Sequence, residues 1–564
     1  MSIEQIRTFL VISLLMVLFL MWQAWQEDYG KPISGSTATN IAGQPLSSSA
    51  AGNASGSYDA PGVPGNTSGN DDTMIPSLPG ALPSTGITSI TDESARPIHV
   101  RTDLFDLLME PTGTGIRQLD LLEYPESRKR LEVPFRLLSV APGVHFTADA
   151  PLFGSDPALH TPPVFQPEQY DYRLEEGKDT LDVRFLWNSE DGISITKIIT
   201  FRRQSYEIDV SYEIENTKKQ PIAVRLHGRF NRYPPADQGS IFRLPTYTGG
   251  VISYAEHPYE KIDFKEMSEQ DLNHPAKGGW MAMIQHYFIG AWIPDANTNT
   301  HFYTKRNGAL YTIGVFTDKV IAPGKRDTIG IRGYIGPKIQ DRMEAAAPNL
   351  ARTVDYGWLW VISQPLFWLL QKIHALLGNW GWSIIVLTIL IKLVFFHLSA
   401  TSYTSMARMR KLQPRMTKLR DTYKGDKLKL NQKLMELYKE EKVNPLSGCL
   451  PIVIQIPVFI ALYWVLLESV ELRQAEFIFW LKDLSTYDPY FVLPVAMGVT
   501  MFLQQKLNPT PPDPIQAKVM MALPFVFTAL FLFFPSGLVL YWFVNNLLSI
   551  AQQWVITRRI APDS

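Results

Sequence analysis

From Ser383 to Phe396 the chain reads Ser-Ile-Ile-Val-Leu-Thr-Ile-Leu-Ile-Lys-Leu-Val-Phe-Phe, so one lysine, Lys392, interrupts an otherwise apolar run. A lysine near the centre of a membrane helix costs about 2.5–3.5 kcal/mol on insertion scales, so it needs a partner, water or a short path to the interface. Carboxylate partners are scarce, since Glu468 is the one carboxylate in the other apolar runs and it falls near the far end of its own. Snorkelling to the near interface is the bland alternative; a water-filled cavity opening inward explains more. Thr388 lies four residues earlier on the same helix face, and Gln455, Thr500, Gln504, Asn545, Asn546 and Ser549 offer uncharged hydrogen-bonding groups from other runs. Each of these alone reads as helix-to-helix packing. Together with an unpaired lysine they imply a polar intramembrane site that attracts acidic segments.

The elements that position this site follow from the hydropathy pattern. Of 564 residues 46% are hydrophobic, but they concentrate near the N-terminus and beyond Trp380. Arg7 precedes the uncharged run Thr8 to Trp25, long enough at about 18 residues to cross a bilayer core; its flanking Trp22 and Trp25 favour an anchor over a cleaved signal peptide. Five further runs, at about 380–398, 449–470, 490–507, 519–534 and 538–556, predict six transmembrane spans in all. Tyr356 to Leu377 is aromatic but carries Ser363, Gln364, Gln371, Lys372 and His374 around Pro365, which suits an interfacial amphipathic helix at 353–378.

Between these regions, residues 27–96 are dominated by Gly, Ser, Thr, Asn, Pro and Ala and predict a disordered tether. Residues 97–345 alternate with period two, as in Leu181-Asp182-Val183-Arg184-Phe185 and Glu207-Ile208-Asp209-Val210-Ser211-Tyr212, and predict a large antiparallel β-sandwich. No nucleophile elbow, zincin helix or phosphate loop interrupts them, so His227, His257 and His286 read as structural or surface residues and no catalytic role is expected. The single cysteine, Cys449, excludes a disulfide framework within the chain and a multi-thiolate metal site. Neither metal nor other cofactor is expected.

Orientation follows from basic residues. The loop 399–446 holds Arg408, Lys411, Arg415, Lys424, Lys433 and Lys442 among its many cations, and Arg558-Arg559 follow the last run. Both are placed in the cytoplasm, with both termini there and the β-domain outside. Within that loop Met406, Met409, Leu412, Met416 and Leu419 recur at helical spacing, as do Leu430, Leu434 and Leu437 after Lys424-Gly425-Asp426, which predicts an antiparallel helical hairpin. Pro414 is expected to kink its first helix. The net charge of −1 hides this segregation of basic and acidic residues, no polyanion partner follows from it, and no DNA partner is expected.

Three stretches then resemble one family. Tyr403-Thr404-Ser405-Met406-Ala407-Arg408-Met409 with Leu412-Gln413-Pro414, Glu441-Lys442-Val443-Asn444-Pro445-Leu446 with Gly448-Cys449 and Gln455-Ile456-Pro457, and Phe534-Pro535-Ser536-Gly537-Leu538-Val539-Leu540-Tyr541 resemble the YidC membrane protein insertases of Gram-negative inner membranes. The resemblance covers about Trp380 to Ile556 most strongly. It implies a multi-domain membrane protein: an anchor at 1–26, a supersandwich-like periplasmic β-domain, and an insertase core at 380–558 whose five helices enclose a groove open to cytoplasm and lipid but closed on the periplasmic side. Lys392 falls where relatives usually carry Arg, which keeps the charge and loses the planar fork. Thr388, Gln455 and Trp542 match groove positions, Trp542 where many relatives have Tyr, and Phe459 and Met497 match greasy contacts along which a client helix slides. The partners so implied are nascent membrane proteins, the Sec translocon, the ribosome and membrane lipids, for a protein working as a monomer. A secondary transporter or channel is the rival reading, and an outer-face enzyme acting on sugar or lipid a second. The first lacks internal repeats and coupling carboxylates, and the second rests on fold analogy alone.

Overall fold

The computed structural model describes residues 96–113, 115–235, 246–423, 425–441, 450–508 and 514–560. The expected anchor at 1–26, nearly all of the tether, and Lys424 and Lys442 of the basic hairpin lie outside them. The chain divides into two compact units between Thr353 and Val354.

The first unit is built from strands whose inward residues alternate with outward ones. In Ile193–Arg202, Ile193, Ile195, Ile199 and Phe201 are buried, and the strand pairs antiparallel with Thr180–Asn188 and Glu207–Asn216. These belong to a nine-stranded sheet, and Ile222–Arg232, paired with Leu310–Ile321 and Val144–Asp149, is central to an eleven-stranded one. The two sheets face each other across one apolar core. Gly228 marks the close approach, because a Cβ there would lie 2.7 Å from the ring of Trp292 on the other sheet. The Trp292 indole donates to the Arg229 carbonyl at 3.2 Å, and its ring stacks on Phe230 at 5.9 Å.

Period two also carries a lysine inward. Lys197 is 1% exposed; its ammonium donates to the Gly113 carbonyl at 2.7 Å and sits 5.2 Å from the centre of the Tyr212 ring. Burial pushes this amine down from 10.5 to about 7, against the smaller opposing pull of Asp149 and Glu110. Between those two values the unfolded chain holds a proton there that the folded chain has released, so stability rises with pH across that window and the cost of the buried charge is fully present below it. Lys197→Met is expected to remove this rise. Thermal unfolding of the β-unit in the full-length protein, scanned from neutral to alkaline pH, checks it; an unchanged slope would count against the buried amine.

The second unit is helical: α1 (Trp360–Leu377), α2 (Trp380–Val394), α3 (Phe396–Thr422), α4 (Lys427–Glu440), α5 (Leu450–Glu468), α6 (Val492–Leu507), α7 (Pro514–Phe531) and α8 (Ser536–Ile560). The helix α1 runs through Pro365 without a break. It buries Ser363, Phe367, Leu370 and Ile373, with the Ser363 hydroxyl donating to the Ala461 carbonyl of α5 at 3.2 Å, while Trp360, Val361, Trp368 and Leu376 are exposed. The helix α8 packs on α2, α3, α5 and α6, and α7 packs on α6.

The run expected as one span at 380–398 differs from that expectation. It ends at Val394, and α3 leaves at 68° from Phe396 onward, three residues before the expected hairpin start. Phe395 sits at φ −90°, ψ 8°, outside helical geometry, and so turns the chain without proline or glycine. Among the described residues no single helix is long and apolar enough to cross a membrane, whereas the bent pair α2–α3 reaches that measure by length and composition. Polar Asn545, Asn546, Ser549, Gln552 and Gln553 dilute α8, and α6 has only 16 residues. In the hairpin, Leu412 and Met416 of α3 pack with Leu434, Leu437 and Tyr438 of α4, flanked by Met409, Leu419 and Leu430. Arg415 pairs with Glu441 at 2.6 Å across its open end.

Candidate functional site

The polar residues of α8 fall at helical spacing. Tyr541, Asn545 and Ser549 are four apart and so share one face. That face meets both α2 and α5. The Lys392 ammonium of α2 donates to the Ser549 hydroxyl oxygen at 2.8 Å, and Ser549 donates its own proton to the Asn545 carbonyl at 2.7 Å. From α5, the Gln455 amide donates to the Asn545 side-chain oxygen at 2.5 Å and reaches the Tyr541 hydroxyl at 3.5 Å. Lys392 and Gln455 are thereby joined to one stripe of α8. Among the described residues Lys392 has no ion pair: a half-buried cation is held by neutral oxygen alone.

A second polar edge fastens α8 to α6. Asn546 donates to the Thr500 hydroxyl at 3.5 Å, and the Gln553 amide donates to the Leu507 carbonyl and the Asn508 side-chain oxygen, both at 3.2 Å. Between these edges lies an aromatic group. Trp542 meets Phe459 of α5 edge-on at 4.3 Å between ring centres, and Phe531 and Phe527 of α7 at 5.4 and 6.4 Å.

The expected residues therefore separate. Lys392 and Gln455 join the polar stripe, and Trp542 and Phe459 form the adjoining aromatic contact. Thr388 is buried on α2, but its hydroxyl is satisfied by the Ile384 carbonyl at 2.7 Å one turn earlier. Met497 is wholly buried on α6, one turn before Thr500, whose hydroxyl bonds to its carbonyl at 2.7 Å. Arg408, Lys411, Arg415 and Lys433 are exposed on the hairpin. Two tyrosines were not foreseen. Tyr541 joins the stripe, which its place four residues before Asn545 could have signalled, and Tyr403 is buried on α3, which packs on α8.

The opposite end of the helices is tied shut by the segment 469–491. Asn379, which caps α2, donates to the Glu476 and Phe477 carbonyls at 3.1 and 3.4 Å. At the start of α8, Ser536 N donates to the Thr486 carbonyl at 2.7 Å and Gly537 N to the Leu484 carbonyl at 2.9 Å. Asp488, fully buried, accepts from the Trp480 indole, Tyr490 N and Leu493 N at 3.0, 3.0 and 2.7 Å, the last in the first turn of α6. One short segment thus pins the first turns of α2, α6 and α8.

Comparison with known proteins agrees over the whole chain. Residues 372–563 match a family described as the 60Kd inner membrane protein, and residues 97–369 match the YidC periplasmic domain. The membrane protein insertase YidC of Marinobacter nauticus is 45% identical over 99% of this chain and 98% of its own, and that of Nitrosococcus oceani 46% identical over 99% and 100%. Among solved structures, an active YidC insertase with its first transmembrane domain resolved aligns at 18% identity over 81% of this chain and 94% of that one, with a TM-score of 0.34.

Proposed function

This chain belongs to the YidC family of membrane protein insertases, and from that premise we propose that it receives client segments at the Lys392 stripe of α8. It is an inner-membrane protein with a periplasmic domain, and it acts on nascent membrane proteins. The observation that carries the proposal is a cation within an apolar helix bundle whose described partner is a neutral hydroxyl. Such a cation keeps most of its field for an incoming carboxylate.

The mechanism has no covalent step. A short hydrophilic segment enters from the cytoplasmic side, drawn by Lys392, while the following apolar segment moves along Phe459 and Trp542 into lipid. Burial of about 20 apolar residues in the hydrocarbon drives the transfer. We place Thr8 to Trp25 and the five later runs as six spans, with both termini cytoplasmic and α1 lying in the outer interface. The basic faces of α3 and α4 then front the cytoplasm, where they suit the anionic surface of a ribosome. Action alone or beside the Sec translocon, as a monomer in contact with lipid, completes the proposal.

Photo-crosslinking from single positions to a stalled nascent chain tests it. Probes at Phe459 and Trp542 are expected to capture the client's apolar segment, with a probe at Leu376 on the exposed face of α1 as the background control. Capture no stronger than from Leu376 would contradict the reading.

A further inference from the structure

Ser549 has one proton and two lone pairs. Its proton goes to the Asn545 carbonyl, and its oxygen accepts from the Lys392 ammonium. Lys392 lies in the last turn of α2, just before the 68° break at Phe395. Three residues on, the Gln552 amide of α8 donates to the Phe396 carbonyl at the break itself, at 3.2 Å. Ser399, Ser402 and Tyr403 are buried on α3, which packs on α8. The same face of α8 therefore follows the chain from the cation, across the break, into the first helix of the hairpin.

We propose that Ser549 is a positioning residue that holds the Lys392 ammonium inside the bundle. Without the hydroxyl, the four-carbon stem is free to carry the charge towards the interface.

The inference rests on the reading that Lys392 attracts acidic clients, and the test separates the two. Full-length protein in lipid vesicles, as Ser549→Ala, Ser549→Thr, Ser549→Cys and Lys392→Glu, is given clients that differ only in the number of Asp residues in the translocated segment. Ser549→Ala is expected to lower the ratio of acidic to neutral client insertion about tenfold, the size of one charge-assisted hydrogen bond at its weaker limit, and Ser549→Thr to retain the parent ratio. Ser549→Cys, nearly isosteric but a weak acceptor, is usable even if Ser549→Ala fails to accumulate, and is expected to lower the ratio as well. A parent-like client ratio in Ser549→Ala or Ser549→Cys overturns the proposal. If Lys392→Glu also leaves the ratio unchanged, it is the underlying reading that fails.

Discussion

Lys392→Glu is expected to cut insertion of clients with acidic translocated segments about tenfold or more, while clients with neutral segments lose far less. Two unit charges about 8 Å apart at an effective dielectric of about 20 attract by about 2 kcal/mol, and reversing one sign changes that by about 4 kcal/mol. Water that screens two-thirds of this still leaves about a tenfold difference. Lys392→Arg keeps the charge and is expected to function. Lys392→Ala removes the attraction together with the cost of holding a cation in the bundle, so it is expected to be more stable and less active. Protease protection of the client in vesicles reads all three, and equal loss for acidic and neutral clients would show damage to the fold in place of lost attraction.

Asp488→Ala is expected to be the most destabilising single change in the helical unit. Its carboxylate is wholly buried and accepts three hydrogen bonds. Alanine leaves the Trp480 indole and two backbone amides without their acceptor in an enclosed site, at about 1–3 kcal/mol for each donor that finds no substitute. The segment 469–491 also holds the first turns of α2 and α8, so its loosening spreads to both. Asp488→Asn retains one acceptor oxygen and is expected to fall between alanine and the parent. Thermal unfolding in detergent gives the order, with an alanine variant as stable as the parent as the contrary result.

How much of this was legible in the sequence differs by element. Strands such as Ile193–Arg202 follow from period two, and that same rule places Lys197 inside, although a lysine invites the opposite assignment. The contact of Leu412 and Met416 with Leu434 and Leu437 is the heptad-like pattern made physical. The break at Phe395 was hidden because Val394-Phe395-Phe396 contains no helix breaker. Polar residues of α8 could be named from sequence, but which of them meets Lys392 depends on how α8 is rotated about its axis, and that is set by packing. Tyr403 was missed for a related reason: it lies beyond the expected span, in what read as a loop. The closure by 469–491 was hidden because its contacts are chiefly to backbone carbonyls, which any residue type supplies.

The most direct measurement is the slope of insertion against client charge. A client series whose translocated segment runs from two Asp through neutral to two Lys, presented to vesicles holding either the parent or Lys392→Glu, yields one slope for each protein. With the parent, insertion is expected to rise as the segment becomes more acidic. With Lys392→Glu the slope is expected to change sign, so that basic segments become the better clients. Two equal slopes would contradict an electrostatic role for Lys392 and leave it a lysine that merely reaches the interface.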